Sequence, residues 1–369
     1  MPAEPNQVVS PKNGHKTPKA IATVAAVLVG MSIASVATMI GIYDSFFPRY
    51  ERPDYALYPG MYTYERYGAT LPRESFFIPS GDSSLCAYYY PVESPKALAV
   101  VVHGFHAGAD DLLPMIERIT RDGYGVLTYD ATATHSSTGD SGIGMCQFIR
   151  DLDAVLQYIS GDAGYASMPL VLIGHSLGGN AVASVLPLHR EVRAAVCIAP
   201  MNDASTLMVE TARQYVDDVA YTTKPIFDAY QNYLFGEFTE YNAVRGINST
   251  DIPILIAQGL NDETTPHNTL SVTAHLDEIT NPNLTLYYGE GLQGSHTGIW
   301  HSVDAETYAS EIQRALELAE EEKGDKLTYD EKVALYQTVD HHRYSAVNED
   351  LFAAIFRTFE AGISPNENS

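Results

Sequence analysis

A chain of 369 residues, 45% apolar and 18% charged, is long enough for one large domain or two small ones with a real core. Its 22 Lys and Arg stand against 46 Asp and Glu, a formal charge of −24. Such a surface excludes nucleic acid as a partner, because a phosphate backbone needs a basic patch, and it disfavours electrostatic docking on anionic lipid.

Residues 1–19 are a polar N-terminal tail. Ala20 to Ile42 runs 23 residues without a charge. A bilayer core takes about 20 such residues as a helix, and a cleaved signal peptide carries a shorter apolar core of about 7–15. Residues 20–43 therefore read as a transmembrane helix, a single membrane anchor. Lys12, Lys16 and Lys19 precede it, and Arg49 and Arg52 follow. The excess of basic residues on the N-terminal side places that end in the cytoplasm and the remaining chain outside it. Residues 44–73, rich in Tyr and Pro, read as a stalk.

From residue 74 to 363 the pattern is that of one domain. Arg73 to Pro91 reads as a hairpin turning at Ser80-Gly81-Asp82-Ser83. Short apolar runs at 98–103, 124–130, 170–174, 194–199, 252–257 and 284–288 read as strands. Stretches with helical spacing lie between them at 111–121, 148–159 and 180–189. This alternation implies a mostly parallel central sheet flanked by helices on both faces. Residues at about 201–250 interrupt the rhythm with eight aromatics between Tyr215 and Tyr241, and read as a helical lid insertion. Leu316 to Lys326 reads as a charged, solvated stretch, Asn348 to Phe359 as a closing amphipathic helix, and 364–369 as a disordered tail. Cys86, Cys146 and Cys197 lack C-x-x-C spacing and read as small buried hydrophobes.

The chemistry centres on Leu170 to Asn180, "LVLIGHSLGGN". Four apolar residues end in Gly174-His175-Ser176-Leu177-Gly178, a G-x-S-x-G pentapeptide between a predicted strand and a predicted helix. That context holds a serine in a strained turn with its hydroxyl exposed, and the flanking glycines let the backbones pass. A serine hydroxyl needs a general base, and the base needs an acid to fix its tautomer. Asp262, in the loop after the strand at 252–257, is the acid candidate; Glu263 and Asp203 are its rivals. His296, in the loop after the strand at 284–288, is the base candidate, ahead of His301 and His267. Both loops lie past the carboxyl ends of parallel strands, where sites of open α/β sheets form. An oxyanion would need two backbone N–H groups. Leu177, after the serine, supplies one, and Phe105, in the loop "VVHGFHAG", the other. His103 reads as a support of that loop. No H-x-x-x-H, H-E-x-x-H or P-loop pattern occurs, and neither a metal nor another cofactor is expected.

"VVHGFHAG", "GHSLGG", "GLNDETTP" and "GSHTGIW", in that order, resemble the α/β-hydrolase superfamily. The likeness is to serine hydrolases of the serine aminopeptidase and monoacylglycerol lipase types. "YDATATHSSTGDS" followed by "FIRDLDAVLQYI" resembles the same group, except that Ala133 and His135 stand where the group has glycines. The resemblance covers about residues 74–300 and the closing helix. It implies an α/β-hydrolase fold and hydrolysis of an ester, thioester or amide. A carboxylesterase or lipase-like enzyme acting on a small-molecule acyl substrate is the expected function, and the lid aromatics favour an apolar acyl group. A peptidase or acyltransferase using the same three residues, and a non-catalytic binding module of the same fold, stay open.

Overall fold

The computed structural model describes residues 36–203, 206–210, 213 and 217–364. The chain divides into two compact units, residues 1–46 and 47–369. In the first, residues 36–45 are helical. The expected membrane anchor at 20–43 lies for the most part outside the described residues. Among the described residues no helix is long and apolar enough to cross a membrane.

The second unit is built on an eight-stranded sheet in the order β1-β2-β4-β3-β5-β6-β7-β8. β1 (Glu74–Ser80) and β2 (Ser83–Tyr90) form the expected hairpin, with Gly81 at φ 55° in its turn. β2 also pairs antiparallel with β4 (Gly125–Tyr129). From β4 the sheet runs parallel through β3 (Leu98–Val102), β5 (Leu170–His175), β6 (Val192–Ile198), β7 (Ile254–Gly259) and β8 (Leu284–Gly289). Every residue of β3, β4, β5 and β7 is buried. Helices cover both faces of these strands, which is why they read as continuous apolar runs instead of alternating ones.

The main helices are α1 (Leu113–Arg121), α2 (Gln147–Gly161), α3 (Leu177–Val185), α4 (Lys224–Phe235), α5 (Ala243–Asn248), α6 (Val303–Lys323), α7 (Tyr329–Tyr336) and α8 (Glu349–Ile363). α3 begins at Leu177, three residues earlier than its sequence suggests. Gly178 and Gly179 weaken intrinsic helix propensity, but a side chain at Gly178 would collide with the carbonyl of Val102 on β3. Close packing on the sheet overrides local preference there. The charged stretch at 316–326 is the end of the 21-residue α6, which stops where Gly324 takes φ 73° as a left-handed cap.

α8 lies on β6 and closes one face of the core with Leu351, Phe352, Ile355 and Phe359, each fully buried. Phe359→Ala is expected to cost about 3–5 kcal/mol, the usual penalty for emptying a buried aromatic site. Thermal denaturation would read this as a lower Tm.

His189, after α3, sits between Asp153 of α2 (Nε2–Oδ1 2.9 Å) and Glu191 (Nδ1–Oε1 2.8 Å). Burial opposes its charge, but the two carboxylates outweigh burial and hold its pKa above the ordinary value. A raised histidine pKa adds stability that is complete below the unfolded value of about 6.5 and lost as pH rises through the folded value. His189→Gln should therefore be less stable than wild type by on the order of 1 kcal/mol near pH 6. The gap should close toward pH 9 in urea titrations.

Residues 47–73 are not the expected stalk. They belong to the same compact unit as the sheet, and Met61, Tyr67 and Leu71 enter its core. Arg52 and Arg73 both pair with the buried Asp110, at 2.8 and 2.7 Å. The Tyr-rich composition that suggested a linker is a burial payload: aromatic rings give large apolar area at small conformational cost.

Candidate active site

The loops after β3, β5, β7 and β8 meet at the carboxyl edge of the sheet, with β5 in its centre. Ser176 is the single residue between β5 and α3, at φ 57° and ψ −120°. A non-glycine residue at such a φ costs on the order of 1–3 kcal/mol and persists only where its surroundings over-determine it. Here the Ser176 N–H donates to the Ile198 carbonyl (2.8 Å), and its own carbonyl accepts from Asn180 N–H (3.0 Å). A Cβ on Gly174 would collide with the Gly178 carbonyl, so both glycines of the pentapeptide are sterically required.

Asp262 and His296 are brought together. His296 Nδ1 lies 2.8 Å from Asp262 Oδ2. The other partners of the Asp262 carboxylate are also donors. Thr264 and Thr265 N–H donate to Oδ1 at 2.9 and 2.8 Å. Gln258 Nε2 and the Thr265 hydroxyl donate to Oδ2 at 3.1 and 2.8 Å. Burial alone would raise its pKa. The hydrogen bond and charge of His296, with the backbone and hydroxyl hydrogen bonds of Thr265, reverse this and hold it below the ordinary carboxylate value. With Nδ1 committed to Asp262, Nε2 of His296 is the ring nitrogen left for chemistry.

The rivals make other contacts. Glu263 is exposed. Asp203 Oδ1 accepts from Thr206 N–H (2.8 Å). His301 Nδ1 faces Glu306 (2.7 Å).

His103 supports its loop as expected. It is fully buried, and burial lowers its pKa. Ala131 N–H donates to its Nε2 (3.0 Å), so Nδ1 carries the proton and donates to the Gly104 carbonyl (2.7 Å). Gly104 presses on the serine: a Cβ there would lie 3.0 Å from Ser176 Cβ. This contact sets Phe105, the next residue, beside Ser176. Leu177 is the first residue of α3, where N–H groups have no intrahelical partner.

Sequence reasoning missed a latch at His175, the variable position of the pentapeptide. Its Nε2–H donates to the His296 carbonyl (3.0 Å), tying the serine turn to the histidine loop. Burial, aided by His296, pushes its pKa down to about 3, so the ring is neutral. Thr265 and Gln258, which orient Asp262, were also missed. Nothing in the local sequence marks either as a partner of a carboxylate.

Ser176 and His296 line one cavity of about 450 Å³. Its apolar and aromatic walls include Phe105, Leu112, Trp300, Tyr58, Tyr62 and Tyr344, and Asp111 and Glu306 also line it. Asp111 accepts from Gly108 N–H (2.7 Å) and the Tyr55 hydroxyl (3.0 Å), and burial raises its pKa to about 6.

Residues 93–245 match the family described as serine aminopeptidase, S33; the match includes Ser176 and ends before Asp262 and His296. Over 145 residues the chain is 30% identical to monoglyceride lipase of Rattus norvegicus, covering 36% of this chain and 46% of the lipase. The chain thus spans about half the length of the curated relative it matches. Topology, serine turn and family match agree. The chain has the fold of the α/β-hydrolases, and its matched part resembles that superfamily.

Among solved structures, the Pyrococcus furiosus esterase Pf2001 aligns with a TM-score of 0.49 at 19% identity, covering 67% of this α/β-hydrolase and 90% of the esterase. Est1E from Butyrivibrio proteoclasticus, with ferulic acid bound, aligns at 0.47 and 17%, covering 60% and 90%.

The insertion of this α/β-hydrolase is helical, through α4 and α5 and 3₁₀ turns at Asp217–Thr223 and Gly236–Glu240. Tyr215 lies outside the described residues. Of the other expected lid aromatics, Phe227 and Phe235 are buried, while Tyr221 and Tyr233 are 47% and 84% exposed. Among the described residues none from 201–250 lines the Ser176 cavity. The described lid aromatics therefore give no support to an apolar acyl group. The rings that line the cavity come from 58–62, 105, 300 and 344, far apart in sequence and invisible to a local reading.

The three cysteines are free and buried, and burial raises the Cys146 and Cys197 thiols to about 12. Among the described residues no cluster of His, Cys, Asp or Glu could hold a metal.

Proposed function

We propose that this α/β-hydrolase is a serine hydrolase that cleaves carboxylic esters of small molecules. The observation that carries the reading is His296 held by Asp262 in the cavity that also presents the strained Ser176. Ser176 Oγ attacks the acyl carbonyl while His296 Nε2 takes its proton. Asp262 stays ionised, fixes the tautomer and balances the imidazolium. The N–H groups of Phe105 and Leu177 hold the oxyanion. Collapse of the tetrahedral intermediate expels the alkoxide, which takes the proton from His296. Water then repeats the sequence on the acyl-enzyme and frees the acid. The walls formed by Phe105, Leu112, Tyr58 and Trp300 suit an apolar acyl group, and the name of the rat relative, monoglyceride lipase, points the same way. Residues 20–43 would hold the enzyme in a membrane as a single-pass anchor, with the basic bias around them placing the catalytic domain outside the cytoplasm.

A second reading, an amide or peptide hydrolase, is favoured by two observations. One is the family description, serine aminopeptidase. The other is the pair of carboxylates, Asp111 and Glu306, that could receive a substrate ammonium in the cavity. The deciding experiment takes the full-length chain in detergent through p-nitrophenyl esters of graded chain length and through aminoacyl p-nitroanilides, with Ser176→Ala as control. Ester turnover that needs Ser176 supports the proposal. Serine-dependent anilide turnover without ester turnover replaces it with the second reading.

A further inference from the structure

The segment from Phe47 to Tyr55 touches the loop that carries Phe105. The Tyr50 backbone forms a bridge with the loop at 131–139: its N–H donates to the Ala133 carbonyl, and its carbonyl accepts from His135 N–H, both at 2.9 Å. Ala133 and His135, the residues that stand in place of glycines, take φ of 57° and 43°. Left-handed backbone at both positions is what glycine ordinarily supplies. Here the neighbouring segment supports it. Arg49 adds guanidinium donors to the carbonyls of His135, Ser137 and Gly139 at 2.5, 2.8 and 3.1 Å.

This anchoring fixes the Tyr50 ring. It stacks on His135, with centroids 5.4 Å apart and planes 26° apart. It also stacks on His106, at 5.2 Å and 25°. Burial pushes the His135 imidazole down to about 4, so it stacks as a neutral ring. His106 stacks in turn on Phe105 at 3.9 Å, and Phe47 meets Phe105 edge-on at 5.6 Å. His106 itself is a non-glycine residue at φ 51°, exposed, in the loop whose Gly104 abuts Ser176. A strained, solvent-facing loop needs an outside support to hold a hydrogen-bond donor in one place. One turn further on, Arg52 to Asp110 (2.8 Å) and Tyr55 to Asp111 (3.0 Å) pin the chain that leaves this loop.

We propose that residues 47–55 are a clamp on the oxyanion loop, in which Tyr50 is a positioning residue that fixes the Phe105 N–H through the His106 ring. This rests on the serine-hydrolase reading above. The donor acts on the transition state, so the clamp affects kcat and leaves ground-state binding alone.

The test uses the full-length chain, a short p-nitrophenyl ester, and an alkyl trifluoromethyl ketone. Ser176 Oγ adds to the ketone, the carbonyl pair moves to oxygen as an oxyanion, and His296 keeps the serine proton, so inhibition reports the oxyanion site directly. Losing an oxyanion donor outright costs about 10²–10³ in kcat. Loosening one through Tyr50→Ala should cost about 10-fold in kcat and raise the ketone inhibition constant by a similar factor, with KM within about twofold. Tyr50→Phe keeps the ring and should match wild type within about twofold on all three. Wild-type kcat in Tyr50→Ala would overturn the clamp, as would a Tyr50→Phe variant as impaired as Tyr50→Ala. If Tyr50→Ala lacks a cooperative melt, Tyr50→Leu restores part of the apolar bulk without the aromatic plane and is read in the same way. Turnover by Ser176→Ala would instead remove the serine-hydrolase reading itself, so the two failures are distinguishable.

Discussion

Ser176→Ala should lower ester turnover by roughly 10⁴- to 10⁶-fold while leaving the melting curve close to wild type. The size follows from what the hydroxyl does. Without Oγ no acyl-enzyme can form, and His296 has no proton to take. What remains is the rate at which water attacks a carbonyl polarised by the Phe105 and Leu177 N–H groups. The small stability effect follows from what the hydroxyl does not do. The turn is held through backbone atoms, by Ser176 N–H to Ile198 and by Asn180 N–H to the Ser176 carbonyl. Alanine keeps both bonds and the same backbone strain. Steady-state kinetics beside a thermal melt, with fluorophosphonate labelling of the wild type, would check this. A folded variant with turnover within tenfold of wild type would remove Ser176 as nucleophile.

Asp262→Asn should cost roughly 10⁴-fold in kcat with a much smaller change in KM, since the group acts on the base and not on the substrate. Five donors converge on the two carboxylate oxygens. Only an acceptor-only group can take them all. An asparagine must turn its NH2 toward either the two threonine N–H groups or the cluster of Gln258, Thr265 and His296. In the first orientation buried donors face each other. In the second the His296 ring must present a bare Nδ1, which moves its proton to Nε2, the atom that has to receive one from Ser176. The variant should therefore also lose stability, by about 1–3 kcal/mol for the unmatched buried donors. A KM-resolved kinetic comparison and a urea titration measure the two effects separately. Wild-type kcat in a folded Asp262→Asn would transfer the orienting role to another acid.

The sheet was legible because continuous apolar runs such as Leu98–Val102 and Leu170–Ile173 have one explanation, burial on both faces. The serine turn was legible because its requirements are local: a strand, two glycines and a helix within a dozen residues. The acid and base candidates could be placed because they must follow particular strands. Their pairing, with Asp262 facing His296 while Glu263 is exposed, depends on which way one loop turns its side chains, and a residue string carries no such direction. The same limit hid His175, whose partner is a carbonyl 121 positions away. It also let aromatic composition mislead twice. The Tyr-rich 44–73 reads as a linker until its rings find a groove. The aromatics of 201–250 read as a pocket wall until the wall is seen to be built from 58, 62, 105, 300 and 344.

By itself, then, the sequence determined the parallel α/β architecture, the nucleophile candidate at its elbow and the loops that could supply acid and base. These follow from periodicity and from steric demands within a few residues. The tertiary structure alone decided which carboxylate meets the histidine, which rings enclose the cavity, and how residues 47–55 brace the loop beside Ser176. Those depend on side chains distant in sequence meeting at the carboxyl edge of one sheet, where direction and distance, and not residue type, select the partner.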